Sequence, residues 1–403
     1  MNGYNNLDQL TEQFQALCNQ VHAAFQNDSQ DQRSLEKHRL AAIKAAENTV
    51  KLLQTHDELA TQQTWVPLEI VGTAIACDLG LFAILSESNG PFTTENVVKR
   101  GAKGDPLLVE RILRFLAAHG FVDQLDSGAY VANDKTRDYA TEERVANVWT
   151  MLFCMRSYSA LPFFLRDIDL GDSTDPENCS WQYGWHTKET FWQWLESHPE
   201  MSRHFNVYMT MTAARSRFDD DNLCELYPFD KLFKGSLTED ILFVDVGGGF
   251  GQQCISLRKS FPRSTGRVIL QDRPSVVANR RIPDVEVMEI DMLKEQPVRD
   301  AKVYYFRGVL HDHSDVVCRK FLANIKNAMG PCSRLLIHEK LVADVNPTTM
   351  ATKSDLLMMS VYAAMERSAA QMKRLLESVG FKVIGKHSGV GSSEWHIMEA
   401  VLN

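Results

Sequence analysis

From residue 241 onward, apolar runs of strand length (ILFVDV, GRVILQD, VEVMEID, AKVYYFRGVL, SRLLIHEK, FKVIGKH and SEWHIMEAVL) alternate with segments of helical period. That alternation predicts an α/β fold, a mostly parallel Rossmann-like sheet with helices on both faces. The last two runs are joined only by SGVGSS, too short for a parallel crossover, so an antiparallel pair is expected at the end of the sheet. Open sheets of this kind bind ligands beyond the carboxyl ends of their strands, so the residues after each run are where chemistry is expected.

The first run ends in DVGGGFG. The dinucleotide pattern GxGxxG fits poorly, because its third glycine would fall at Gln252. By itself the turn reads more readily as a tight strand–helix connection than as a cofactor site. Asp272, 21 residues beyond Gly251, ends the second run, where a carboxylate can accept both hydroxyls of a ribose. Asp291 ends the third run with Met292 beside it, positioned for the edge and face of an adenine. Each aspartate alone also reads as a helix N-cap. No Lys-Ser/Thr follows the glycines, which argues against ATP or GTP and favours a nucleoside with a small polar tail, such as S-adenosylmethionine.

The fourth run leads into GVLHDHSD, residues 308–315. A metal would need its ligands on one face, whereas His311 and His313 alternate around Asp312 and the nearest third candidate, His338, lies inside the next run; no metal is expected. A satisfied structural histidine and a general base both remain open. His311 suits a base, because an ordinary imidazole titrates near pH 6.5, close enough to working pH to take the proton of a phenol. Glu339, ending SRLLIHE, and Glu366, in AAMER, stand where two carboxylates could flank the imidazole.

The first ninety residues are helical by period: Leu7, Leu10, Phe14, Leu17, Val21 and Phe25 keep one face apolar, and the 66–86 segment is apolar nearly all round, as a helix buried in this chain or against a partner chain would be. Farther on, Val109, Ile112, Leu113 and Leu116 form a second stripe ended by Gly120, and FVDQL and AYVAN flank Asp-Ser-Gly as a hairpin. Helices followed by a hairpin suggest a winged helix, whose commonest use is DNA binding. Here the charge opposes it, because Lys99, Arg100, Lys103, Arg111 and Arg114 are balanced by Glu95, Asp105, Glu110, Asp123 and Asp126.

The whole chain carries a net charge of −9, which disfavours nucleic acid and anionic membranes as partners. Eight cysteines with no CxxC pair read as reduced thiols, and the start lacks a basic-then-apolar leader, so a cytoplasmic protein is expected.

Taken in order over 245–367, DVGGGFG, LQD, EIDM, R-x-x-x-HD, HE and MER resemble the caffeate/flavonoid-type O-methyltransferases, a family dependent on S-adenosylmethionine that includes many fungal natural-product enzymes. Upstream, ACDLGLFAIL, GPFTTENV, RILRFLAAHGF and SGAYVAN are similar to its winged-helix dimerisation region. The resemblance implies residues 1–185 as a helical dimerisation region, 186–403 as a class I methyltransferase domain, and a homodimer. It implies that Asp245, Gly247, Gly248 and Gly249 hold the methionine part of the cofactor, Asp272 the ribose, and Asp291 and Met292 the adenine, with Arg307 close by. His311 matches the catalytic base and Glu339 and Glu366 its flanking carboxylates; Phe205, Met209, Asp312, Met358 and Tyr362 fall where the family lines its acceptor pocket.

The implied activity is methylation of a phenolic or enolic hydroxyl on an aromatic or polyketide-type natural product. Two rivals stand beside it: a non-methylating reaction, dehydration or pericyclic, on the same scaffold, and a ligand-sensing transcription regulator, which the neutral hairpin module disfavours. One departure from the family is HDH in place of HDW, which puts His313 where a tryptophan is expected against the adenine.

Overall fold

A computed structural model describes residues 4–26, 32–215, 223–262, 265–388 and 395–403. The chain divides into two compact units, Met1–Ala76 and Cys77–Asn403.

In the first unit the helices Tyr4–Gln26 and Gln32–Leu53 pack on each other. Leu7, Leu10, Phe14, Leu17 and Val21 lie along the first of them, all half-buried; the side chain of Phe25 lies outside the described residues. A capping box between Thr55 and Glu58 starts the helix His56–Trp65. Leu52, Leu53, Trp65, Val66 and Leu68 are exposed.

The 66–86 segment is not one buried helix. It forms two helices, Pro67–Asp78 and Leu81–Ser86, because Gly80 between them takes φ +74°, a left-handed conformation that ends a helix. Leu81, Phe82, Ile84 and Leu85 of the second are buried, whereas Leu68 at the start of the first is not.

Asp105 caps the helix Pro106–Ala118 by accepting from the Leu107 N–H, and proline fits the first turn because its missing donor would have gone unused there. All four expected stripe residues, Val109, Ile112, Leu113 and Leu116, are buried. The hairpin follows as two short antiparallel strands, β1 (Asp123–Gln124) and β2 (Tyr130–Val131).

The central sheet has seven strands: β3 (Ile241–Val246), β4 (Arg267–Asp272), β5 (Glu286–Glu289), β6 (Val303–Arg307), β7 (Arg334–Lys340), β8 (Phe381–Ser388) and β9 (Trp395–Leu402). Their spatial order is β5-β4-β3-β6-β7-β9-β8. Pairing is parallel from β5 through to β7, and β9 runs antiparallel to both β7 and β8. The expected antiparallel pair is therefore present, but the later strand has inserted inside its partner; the connection itself, 389–394, lies outside the described residues.

Successive strands step outward from β3 to β5, and the chain then returns to place β6 on the other side of β3. The crevice between β3 and β6 is thus the point where strand order reverses, which is where ligands bind in doubly wound sheets. Strands β3, β4, β6 and β7 are almost wholly buried, as continuous apolar runs require, with Val244, Val246, Tyr304, Phe306, Leu335 and Ile337 on one face and Phe243, Tyr305 and Leu336 on the other. No helix among the described residues is long and apolar enough to cross a membrane.

Candidate active site

Two loops meet at the reversal point, one after β3 and one after β6. After β3, the N–H groups of Gly247 and Gly248 both donate to the Gln271 carbonyl at 2.8 and 3.1 Å, turning the chain sharply back over β4. Gly247 takes φ +72° and Gly249 φ +58°, values open to glycine at little cost. A Cβ at Gly248 would stand 2.4 Å from Asp245 Cγ, whereas one at Gly249 would meet nothing within 4 Å. The turn is therefore closed below and open above.

Asp272, at the end of β4, accepts from the Gly249 N–H through Oδ2 and from the Arg273 N–H through Oδ1, each at 2.7 Å. Burial raises its pKa, although both backbone bonds oppose this. Beneath the glycines Asp245 is buried, its Oδ1 has no hydrogen-bond partner among the described residues, and burial pushes it up to about 7. Two carboxylates at the mouth and floor of an open glycine cradle fit a ligand that brings hydroxyl and ammonium donors, as S-adenosylmethionine does. Asp291 lies exposed just past β5 and accepts from the Leu293 N–H; Met292 packs half-buried against the core, and its carbonyl accepts from Asn324.

After β6 the chain makes a single 3-10 turn, Leu310–Asp312, that presents His311. The Nδ1–H of His311 donates to Glu366 Oε1 at 3.1 Å; since a carboxylate only accepts, Nδ1 carries the proton and Nε2 is left to accept one. Asp312 Oδ1 stands 3.6 Å from Nε2. Burial would lower the pKa of His311, but Asp312, Glu339 and Glu366 outweigh it and push it up to about 10. Asp312 itself is driven up to about 6, first by burial and then by its acidic neighbours. For Glu366, burial is outweighed by the bonds from His311 and Ser354, and its carboxyl stays below the usual range.

Glu339 acts on His311 through its charge and has a second task besides. Its Oε1 accepts from the N–H groups of Val309 and Leu310 at 3.0 and 2.8 Å, so it fixes the backbone beneath the turn and reaches His311 through charge alone. His313 is half-buried with its ring edge-on to Phe321 at 4.8 Å; desolvation first, then the charges of His311, Arg367 and Arg273, push it down to about 3, a neutral imidazole. His338 bonds the Tyr305 hydroxyl through Nδ1 on a buried face of β7. The Arg307 guanidinium lies 4.1 Å over the ring of Trp395 from β9. Among the described residues no three His, Cys, Asp or Glu side chains are grouped to hold a metal.

Beside these loops a cavity of about 880 Å³ opens between the helix Pro199–Arg215 and the ends of β3 and β4; Trp192, Phe205, Met211, Phe250 and Arg273 are among its walls. Of the expected acceptor residues Phe205 lines it, while Met209 is 41% exposed and Met358 is buried outside the lining. Tyr362 stacks on Trp192 with centroids 5.4 Å apart and meets Phe191 edge-on, so it backs the cavity wall.

Several residues of the cluster carry no signal in the sequence pattern. Ser354 Oγ donates to Glu366 Oε1 at 2.6 Å, and Asp355 accepts from the Glu366 N–H at 2.9 Å. Arg367, 2% exposed, donates to the carbonyls of Leu310 and His313 at 2.7 and 2.8 Å and to Asp315. One clue was available: Ser354, Met358 and Tyr362 are spaced i, i+4, i+8 and share one face of the helix Thr349–Tyr362.

Residues 179–382 match the O-methyltransferase domain family, and residues 74–148 match the O-methyltransferase dimerisation domain. The chain is 42% identical over 98% of both chains to O-methyltransferase gsfD of Penicillium aethiopicum. It is 34% identical to a demethylsterigmatocystin 6-O-methyltransferase of Aspergillus parasiticus over 79% of this chain and 81% of that one. The structure of LepI in complex with S-adenosylmethionine superposes with a TM-score of 0.82 at 26% identity, covering 98% of this chain and 100% of the other. A structure described as a pericyclic reaction enzyme matches with the same score and identity. An identity of 42% along nearly the whole chain settles the family: this protein belongs to the S-adenosylmethionine-dependent O-methyltransferases, with a class I methyltransferase fold and an N-terminal helical dimerisation domain.

Proposed function

We propose that the protein methylates a phenolic or enolic hydroxyl of an aromatic or polyketide-type natural product, with His311 as general base. The observation that carries this is the hydrogen bond from His311 Nδ1 to Glu366, which makes Nε2 the acceptor once the imidazole is neutral. When bound, S-adenosylmethionine supplies an electrophilic methyl group on a positively charged sulfur. Asp245 and Gly247, Gly248 and Gly249 hold its methionine end, Asp272 its ribose, and Asp291, Met292 and Arg307 its adenosine side.

His311 Nε2 takes the hydroxyl proton as the oxygen attacks, and Glu366, Asp312 and Glu339 stabilise the imidazolium that forms. Phe205, Met209, Met358 and Tyr362 hold the ring system of the acceptor, and Asp312 meets its polar edge. The protein acts as a cytoplasmic homodimer of chains with residues 1–185 for pairing and 186–403 for catalysis; the dimerisation-domain match over 74–148 and the exposed apolar side chains Leu52, Leu53, Trp65 and Leu68 support the pairing.

Calorimetric titration with S-adenosylhomocysteine tests the cofactor assignment. Tight binding is expected in the parent, with a loss of at least about tenfold in Asp272→Ala, the scale of one charge-assisted hydrogen bond. Equal affinities in parent and variant would remove Asp272 from the ribose site.

The likeness to a pericyclic reaction enzyme favours a second reading, in which the same base and acids move protons without methyl transfer. Stoichiometric appearance of S-adenosylhomocysteine with product separates the two, since only methylation consumes the cofactor.

The pH profile tests the base. With His311 raised to about 10 the imidazolium dominates at neutral pH in the free protein, so kcat/KM is expected to climb with pH from 7 toward 10. Glu366→Gln removes one of the charges that raise it, so the climb should move to lower pH while kcat falls. A profile that does not move would place the titration elsewhere.

A further inference from the structure

We infer that Arg273 is a specificity-determining residue that binds a second, negatively charged oxygen of the acceptor, which rests on the methyltransferase reading above. Arg273 follows Asp272 directly and lines the 880 Å³ cavity, whose other walls include Trp192, Leu195, Phe205 and Phe250. Its guanidinium lies 4.5 Å over the Trp192 ring, which fixes its plane. Trp192 in turn stacks on Tyr362, so the cation is built into the same wall as the aromatic residues that back the cavity.

Among the described residues this guanidinium donates no hydrogen bond and has no carboxylate within ion-pair distance. The other arginines near the site are engaged differently: Arg367 is saturated by two carbonyls and Asp315, and Arg280 lies 3.7 Å over the Phe250 ring. The charge of Arg273 acts on Asp272 on one side and on Asp312, His313 and Tyr362 on the other, in keeping with its place in the cavity lining against Trp192.

The cavity lining also carries Glu142, Glu143 and Glu196, with Arg203 paired to Glu142, so Arg273, half-buried against Trp192, is the lining cation left with no carboxylate partner among the described residues. Its planar five-donor fork recognises oxygen anions in the ring plane of an aromatic ligand: a carboxylate, an enolate, or a second ionised phenol. A neutral hydrocarbon acceptor would leave it without a partner, at a cost in affinity. The acceptor class is thereby narrowed to aromatic hydroxyls that carry an acidic oxygen on the same ring system.

The experiment compares 1-hydroxy-2-naphthoate with 1-naphthol, two ligands of one ring shape that differ in the carboxylate. Binding is measured by titration to the full-length protein saturated with S-adenosylhomocysteine, in the parent, Arg273→Met and Arg273→Lys. The parent is expected to prefer the naphthoate by at least about tenfold, R273M to lose that preference, and R273K to keep part of it, because lysine retains the charge without the fork.

A preference that survives in R273M, or a parent that binds both ligands equally, overturns the inference. So does a loss of S-adenosylhomocysteine affinity in R273M, which would assign the cation to the cofactor. Failure of the parent to bind S-adenosylhomocysteine at all would instead sink the cofactor reading on which the inference rests.

Discussion

Replacing His311 with alanine is expected to lower the rate of methyl transfer by at least about 10²-fold while leaving S-adenosylhomocysteine affinity within about twofold of the parent, the range typical of a general-base contribution. The separation of the two effects follows from geometry. His311 stands on the turn after β6, whereas the glycine cradle and its two carboxylates, Asp245 and Asp272, stand on β3 and β4. Removing the imidazole therefore deletes a proton acceptor without touching the cradle. The variant should also lose the climb of rate with pH, since the group that titrates has gone. Unchanged rates, or a fall in cofactor affinity as large as the fall in rate, would show that the histidine is structural.

Arg367→Met carries the second large effect, this one on stability. The guanidinium is the common partner of the Leu310 and His313 carbonyls, so its removal deletes two charge-assisted hydrogen bonds and leaves these acceptors only the Cys318 thiol and, for Leu310, the His313 N–H. At about 1.5–3 kcal/mol for each hydrogen bond to a charged group the total comes to about 4 kcal/mol. The Asp315 contact adds little, because that carboxylate is 42% exposed and solvent screens it. A drop of about 5–10 °C in the melting temperature is the corresponding thermal signature. A melting temperature within 1–2 °C, as roughly expected for a surface substitution, would mean that water replaces the guanidinium and the turn needs no clamp.

The sheet was legible because buried parallel strands are written as uninterrupted apolar runs, and every such run from ILFVDV to SEWHIMEAVL contains a strand. The loop after each run could then be ranked by chemistry, which is how DVGGGFG, Asp272 and His311 came to one crevice. Period alone did not show the break at Gly80, since the apolar pattern continues through it and only the backbone conformation changes. Insertion of β9 between β7 and β8 was likewise hidden, because a short connection specifies antiparallel pairing but not which strand lies outside.

Long-range polar contacts were the least legible. Besides its charge on the imidazole, Glu339 holds two backbone N–H groups, a role fixed by the register of β7 against β6 that no local pattern announces. Arg367 and Arg273 are single side chains whose partners lie at 310–315 and at Trp192, distances over which no local pattern speaks.

The placement of β9 also has a consequence for synthesis. Residues Trp395–Leu402 fill an interior position of the sheet and satisfy hydrogen-bonding groups of both β7 and β8. On the ribosome the segments that form β3 to β8 are all made first, yet the slot beside Arg334–Lys340 stays vacant until these residues have cleared the exit tunnel. Until then the nascent chain presents an apolar strand with an open edge, the kind of surface to which other chains add. Completion of the sheet is thereby tied to translation of the final strand, and a message truncated upstream of residue 395 yields a chain with that edge uncovered, a natural substrate for quality control.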